Sequence, residues 1–87
     1  MGRLEIRFSR HAERQLKERN IRPELVQETL ENPEQIVAAG KNRKIAERTY
    51  QRQGRDFLLR VVYTEQGKPE IITMYWTSKV SKYRRKS

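Results

Sequence analysis

The sequence predicts an α+β fold in which two N-terminal helices pack on one face of a small antiparallel meander sheet. Apolar residues recur at helical spacing in the first third of the chain and alternate with polar residues after it. Two short turns, at Gln53-Gly54 and Gln66-Gly67, divide the alternating part into strands. Strands joined by such short turns are antiparallel neighbours. With 87 residues, 34% of them hydrophobic, the chain can form one two-layer core, so we predict a single domain over 1–87.

The first helix is predicted to begin after Ser9, whose hydroxyl can accept hydrogen bonds from the free amides of a helix N-terminus, and to run to about residue 19. Asn20 tolerates the left-handed conformation that ends a helix, and Pro23 suits the first position of the next one. Asn32-Pro33 ends the second helix, because a residue before proline is disfavoured in helical conformation.

Short strands are predicted over residues 4–8, 36–39, 44–50, 56–64 and 70–76. Alternation divides their side chains between two faces. The side predicted to lie under the helices holds Ile45, Phe57, Leu59, Val61, Tyr63, Ile72, Met74 and Trp76. The opposite, open face is predicted to hold Arg48, Tyr50, Arg60, Thr73, Tyr75 and Thr77. This open face fits either a functional surface or the solvated face that antiparallel sheets commonly have, and a one-residue slip would exchange the faces.

Charge is the most informative property of the composition. Twenty Lys and Arg against eleven Asp and Glu give a net charge of +9. Residues 1–35 carry seven of each sign, whereas residues 71–87 carry five bases and no acid, and all five bases lie in a basic tail over 79–87. Such a field attracts RNA, DNA, an anionic membrane surface or an acidic protein, although a basic surface that serves only solubility stays open.

Several classes of protein are excluded by composition. The chain has no Cys, so disulfide scaffolds, thiol nucleophiles and Cys-ligated zinc are ruled out. The longest apolar-rich stretch, 71–78, is too short to span a bilayer, and no apolar leader region follows Met1. We therefore expect a soluble, cytoplasmic protein without membrane attachment.

Four segments carry a resemblance to a known family. They are FSRHAER at 8–14, RNI at 19–21, ITMYWTSK at 72–79 and KY at 82–83. In this order they resemble the bacterial domain-of-unknown-function family 4258, which looks like a member of the RelE/ParE toxin superfamily and is similar to the BrnT toxins. The resemblance implies a RelE-like fold and, through those relatives, a type II toxin that cleaves mRNA, often on the ribosome, and is held silent by an antitoxin.

Cleavage of RNA by its own 2′-hydroxyl needs cations on the developing phosphorane charge and groups that exchange protons. Arg48 and Arg60 are the predicted cations, since a guanidinium forks onto phosphate oxygens and stays charged. Tyr75 is predicted to stack a base or hold a phosphate through its hydroxyl. His11, the one histidine, is the candidate general base, or else a structural residue between helix and sheet. No cofactor is expected, and one His without Cys or clustered acids excludes a metal site.

The predicted nucleic-acid contacts follow the last strand. Lys79 and Lys82 match the terminal basic group of the family motif and are expected to steer the RNA backbone. Tyr83, like Tyr75, is expected to stack a base or hold a phosphate through its hydroxyl, and Thr77 and Arg84 complete this predicted surface.

Three functions remain open on the sequence alone. The first is an endoribonuclease toxin with RNA as substrate and an antitoxin as partner. The second is an RNA- or DNA-binding module without catalysis, and the third is an interaction domain whose basic face receives an acidic protein. A homodimer is compatible with each of them.

Overall fold

The computed structural model describes residues 4–80, and the α+β class predicted from the sequence is confirmed. In chain order the elements are β1 (Arg7–Phe8), α1 (Arg10–Glu18), α2 (Pro23–Glu31), β2 (Gln35–Ala38), β3 (Arg43–Arg52), β4 (Arg55–Thr64) and β5 (Glu70–Thr77). Within residues 4–80, no helix has the length and apolar character that crossing a membrane requires.

The sheet has the strand order β1-β5-β4-β3-β2. Strands β2 to β5 form the predicted antiparallel meander. The first strand corrects the prediction, because β1 pairs with β5 in parallel and the sheet is therefore mixed. It is also shorter than 4–8: the Leu4 amide donates to Glu31 Oε2 at 2.9 Å and the Leu4 carbonyl accepts from Gln27, which draws this end of the chain onto α2.

The first helix begins and ends where the sequence predicts. Ser9 is the N-cap of α1, and its Oγ accepts a hydrogen bond from the Ala12 amide at 3.0 Å. Asn20 has a φ of 53°, the left-handed conformation expected for it. The Ile21 amide can then donate to the Leu16 carbonyl at 2.9 Å, which turns the chain from α1 toward α2.

The second helix lies across β3 and β4. It begins at Pro23 and ends before Asn32, as predicted. Val26 and Thr29 are fully buried on its inner side. The Thr29 hydroxyl donates to the Leu25 carbonyl of the preceding turn at 2.7 Å, so this buried polar group is satisfied.

The outer edge of β5 is covered by α1 beyond the two residues of β1. Ser9 Oγ donates to the Ile72 carbonyl at 3.4 Å, and Arg19 Nη1 donates to the Met74 carbonyl at 2.8 Å. The Thr73 hydroxyl donates to the side-chain carbonyl of Gln15, which is itself buried. The first helix thus takes up the hydrogen-bonding groups that a longer β1 would have paired.

The core lies between the helices and the sheet. Its buried members are Ala12, Ile21, Val26, Ala46, Leu59, Val61, Tyr63, Ile71 and Met74. Trp76 and Leu16 are partly buried against it. The inward positions predicted for Leu59, Val61, Tyr63 and Met74 are confirmed. Each large apolar side chain buried in this way stabilises the fold by about 1.5–3 kcal/mol.

The β3–β4 hairpin determines which side chains share a face. Its turn residues Gln53 and Gly54 have φ values of 52° and 74°, and positive φ at both positions is what a tight two-residue hairpin turn requires. Arg52 therefore pairs with Arg55, and the register continues without a break to the other end of the hairpin.

Counted from this turn, the faces of β3 are the reverse of the prediction. Arg48 and Tyr50 share the face of Leu59, beneath the helices, so their predicted open-face position is wrong. Ile45 lies on the open face, and the smaller Ala46 takes the buried position. The prediction followed the hydrophobicity of Ile45, whereas the turn geometry decides the register.

One inward position on β5 is also displaced. A register shift of β4 against β5 falls between Val62 and Tyr63. As a result Ile71, which is opposite Tyr63, belongs to the core in place of the predicted Ile72. Such an irregularity inserts one residue into a strand and changes its alternation locally.

Candidate functional site

A row of polar side chains crosses the open face of the sheet. Gln35 of β2, Glu47 of β3, Arg60 of β4 and Tyr75 of β5 are direct neighbours in the register. Gln35 Nε2 donates to Glu47 Oε1 at 2.6 Å, and Arg60 Nε donates to Glu47 Oε2 at 2.7 Å. Arg60 Nη1 donates to the Tyr75 hydroxyl at 2.5 Å, and the guanidinium lies 5.6 Å from the centroid of the Tyr75 ring. We call these four residues the open-face row.

Glu47 and Arg60 form an ion pair withdrawn from water. Glu47 has no exposed surface, and Arg60 is 8% exposed. Burying either charge alone costs several kcal/mol, so each depends on the other. The structure places Arg60 beside Tyr75, as predicted, but a carboxylate already compensates the guanidinium charge. Arg60 therefore attracts a phosphate less than an unpaired arginine would.

Glu47 is the member of the row that sequence reasoning missed. The information was present in the turn at Gln53-Gly54. A two-residue turn pairs Arg52 with Arg55, and counting five residues along each strand from that pair brings Glu47 opposite Arg60. An acid directly opposite a base on neighbouring strands is a stabilising cross-strand pair.

Arg48 lies on the other side of the sheet from Arg60, so the two predicted cations do not share a site. Arg48 Nη1 donates to the Asn32 carbonyl at 2.8 Å, and Nε is 3.9 Å from Glu28 Oε1. These contacts hold β3 against the C-terminal end of α2. The contacts of Arg48 are therefore those of a structural residue.

A second group of side chains lies where the β3–β4 hairpin turns, on the helix-covered side. We call it the hairpin cluster, and its members are Tyr50, Arg52, Arg55, Phe57 and Trp76. The Trp76 ring packs edge-to-face against Tyr50, with centroids 5.9 Å apart, and against Phe57, with centroids 6.5 Å apart. The Arg52 guanidinium lies 4.5 Å from the Trp76 centroid and 5.6 Å from that of Phe57, and Arg55 lies 6.0 Å from Phe57.

The sequence analysis assigned no function to Arg52, Arg55 or Phe57, although it placed Phe57 on the helix-covered side. The same tight turn would have grouped them, because residues that flank a two-residue hairpin turn share a face with their second neighbours along each strand. Trp76 lies on the side predicted for it. Its indole N–H is buried and has no hydrogen-bond acceptor among the described residues.

Tyr50 joins the hairpin cluster to α2. Its hydroxyl donates to Glu28 Oε1 at 2.8 Å and lies 3.3 Å from the Leu25 carbonyl. Burial is the main cause that raises the pKa of Tyr50 above its ordinary value. The hydroxyl therefore stays protonated, and a hydrogen-bond donor, at neutral pH.

Ion pairs gather at the end of the sheet opposite the hairpin cluster. The pairs there are Lys44 with Glu65 at 2.8 Å, Lys68 with Glu5 at 2.9 Å and Arg7 with Glu70 at 3.9 Å. At the cluster end, Arg52 and Arg55 make no ion pair with any residue in the described part of the chain. Two arginines without an ion pair in the described part of the chain therefore flank the hairpin turn, beside the aromatic rings of the cluster.

The remaining predicted site residues are more scattered. His11 is exposed in the first turn of α1, so it is not enclosed between helix and sheet. Thr77 ends β5, and its hydroxyl accepts from the amide of the exposed Lys79 at 3.1 Å. Lys82, Tyr83 and Arg84 lie outside the described residues. Across residues 4–80, no three His, Asp or Glu side chains are grouped so that they could hold a metal ion.

Comparison with known families adds one finding. The family described as "Domain of unknown function (DUF4258)" matches residues 8–76. The chain belongs to this family. No curated protein and no solved structure matches this chain. The DUF4258 match begins in β1 and ends in β5, so it spans both the open-face row and the hairpin cluster.

This DUF4258 chain thus carries two polar arrangements with different chemistry on opposite faces of its sheet. The open-face row holds a tyrosine hydroxyl in a fixed position through a compensated arginine. The hairpin cluster presents arginines that stack on aromatic rings and whose charge is uncompensated among the described residues. The first arrangement suits proton exchange, and the second suits recognition of an anion.

Proposed function

We propose that the chain binds RNA and that its main contact with the phosphate backbone is made by the hairpin cluster. The observation that carries the proposal is the coincidence of unpaired arginines with aromatic rings at one end of the sheet. Arg52 and Arg55 have no acidic partner among the described residues, and their guanidinium groups lie over the Trp76 and Phe57 rings. The protein has a net charge of +9. A polyanion that binds to it gains most by contacting the arginines whose charge is not already compensated.

RNA is favoured over DNA or an acidic protein by the resemblance of the sequence to the RelE/ParE superfamily and to the BrnT toxins. Two helices on one face of an antiparallel meander agree with what that resemblance implies. The arginines and aromatic rings of the hairpin cluster are also the side-chain types that single-stranded nucleic acids contact.

The experiment is a salt titration of binding to a fluorescently labelled single-stranded RNA. About five phosphate contacts give a log-log slope near −3.5, at ~0.7 per contact on a single strand. Arg55→Gln should make the slope shallower by about 0.7. The matched control is Arg7→Gln, which removes the same charge from the opposite end of the sheet, where Arg7 pairs with Glu70. A wild-type slope near zero, or equal changes in both variants, would overturn the proposal.

A second candidate function is cleavage of the bound RNA, as in a RelE-like mRNA endoribonuclease of a toxin–antitoxin system. The observation that favours it is the Tyr75 hydroxyl, which Arg60 holds in place on the open face near Thr77. A positioned tyrosine can exchange a proton with the 2′-hydroxyl or with the leaving 5′-oxygen without a cofactor. Glu47 already compensates the charge of Arg60. We therefore propose that Arg60 positions the Tyr75 hydroxyl and is not the main group that stabilises the phosphorane charge.

The cleavage proposal is tested in single-turnover assays on a labelled mRNA, with and without ribosomes. Tyr75→Phe keeps the ring and the Glu47–Arg60 pair, and it should lower the cleavage rate by about 100-fold or more. Tyr63→Phe removes a hydroxyl from the helix-covered side and is the matched control. RNA binding without cleavage in either assay would leave a binding module. We further propose a cytoplasmic antitoxin that masks these surfaces, and co-expression with the product of the neighbouring gene tests for it.

A further inference from the structure

We infer that the hairpin cluster is a stacking site for the unpaired bases of single-stranded RNA, with the Arg52 guanidinium on Trp76 as its platform. This inference rests on the proposed RNA binding and goes beyond it. Charge alone would not distinguish single-stranded RNA from any other polyanion, whereas stacking requires unpaired bases. The site is separate from the open-face row, because the two lie on opposite faces of the sheet.

The geometry of the platform is the first observation. Arg52 Cζ is 4.5 Å from the Trp76 centroid, close enough for the guanidinium to rest on the indole. Tyr50 and Phe57 meet the Trp76 ring at interplanar angles of 88° and 78°. These two edge-to-face contacts restrict the orientation of the indole. A rigid aromatic surface loses little conformational freedom when a ligand stacks on it.

The concentration of such contacts is the second observation. An energetically significant cation–aromatic pair occurs about once per 70–80 residues, so a chain of this length is expected to have roughly one. Here Arg48, Arg52 and Arg55 all lie over rings at one end of one hairpin. At an exposed site each pair adds only about 0.5–1 kcal/mol to stability. Contributions of this size do not explain why three arginines of one hairpin lie over rings at the same end.

The indole N–H of Trp76 is the third observation. It is buried and has no acceptor among residues 4–80, an arrangement that costs about 1–3 kcal/mol. Guanidinium planes and aromatic rings are the surfaces on which unpaired RNA bases stack. Phe57 and Trp76 are half-buried and Arg55 is exposed, so a base can approach the cluster from solvent.

The experiment uses Trp76 itself, which is the one tryptophan of the chain. The full-length protein is titrated at low salt with a 10-nucleotide single-stranded RNA, with an abasic strand of the same length and charge, and with the corresponding RNA duplex. Stacking is worth about 1–3 kcal/mol per base, so the RNA strand should bind at least about fivefold more tightly than the abasic strand. Only the RNA strand should quench the tryptophan emission strongly.

Two variants of equal charge complete the design. Arg52→Lys keeps the positive charge and removes the planar group, so the preference for RNA over the abasic strand should fall below about twofold. Arg43→Lys makes the same exchange at the other end of β3, and it should leave the preference unchanged. Equal affinity for the three ligands, or equal behaviour of the two variants, overturns the stacking site while the salt-dependent RNA binding stands. Absence of binding to all three at low salt overturns both proposals.

Discussion

Removal of the Arg60 side chain should destabilise the protein more than any surface charge change. Arg60→Met leaves the Glu47 carboxylate fully enclosed, with Gln35 as a neutral hydrogen-bond partner. At 2.7 Å and an effective dielectric constant of about 20, the lost attraction is about 6 kcal/mol before desolvation is counted. The net loss in the free energy of unfolding should be about 3–5 kcal/mol, since that is the cost of stranding one partner of a buried pair.

Urea denaturation at pH 7 measures this loss, and two further variants test the reasoning. The double variant Glu47→Leu/Arg60→Met removes both charges and should lose much less than the single variant, because apolar side chains often replace a buried ion pair at little cost. Arg7→Met breaks a pair in which the side chains are 69% and 37% exposed, and it should lose under about 1 kcal/mol. A loss under 1 kcal/mol for Arg60→Met, or additive effects of the two buried changes, would refute the account of the row.

Three further predictions concern other parts of the structure. Leu59→Ala should lower the free energy of unfolding by about 2–5 kcal/mol in urea melts, since Leu59 is fully buried, and a loss under 1 kcal/mol would contradict its place in the core. Ser9→Ala removes the cap that holds the Ala12 amide and should cost about 1 kcal/mol in the same assay, whereas no change would mean that the cap is dispensable. Because burial raises the pKa of Tyr50, its contribution to stability is complete below the unfolded-state pKa of about 10 and is lost as the pH rises through the folded-state value. Melting temperatures should therefore fall above pH 10, and less steeply in Tyr50→Phe; identical slopes would exclude Tyr50 as a cause.

Local features of the chain were sufficient to predict much of the fold. Ser9, Asn20 and Pro23 act on the backbone within a few residues of themselves, so the helix ends could be inferred from the sequence. The Gln53-Gly54 turn was also recognisable, because its left-handed backbone is a local requirement. The parallel pairing of β1 was not predictable in this way, since it depends on where two helices return the chain to the sheet.

The candidate site was predicted less completely, for a related reason. Arg60 and Tyr75 were placed correctly beside each other, because alternation within β4 and β5 is regular there. Arg48 was placed on the wrong face, since the hydrophobicity of Ile45 outweighed the register that the turn imposes. Glu47 was overlooked because an acid in the middle of a strand is ordinarily solvated, and only its burial opposite Arg60 makes it important.

The way α1 covers the edge of β5 has a consequence for self-association. An edge strand normally offers a line of unpaired carbonyls and amides to which a strand from another molecule can add. Here Ser9 and Arg19 already occupy the Ile72 and Met74 carbonyls, so that margin of the sheet is closed to a further strand. The other margin is β2, four residues long, where Ile36 is 48% exposed. We therefore expect aggregation by strand addition to start at β2. The substitution Ile36→Lys should block it.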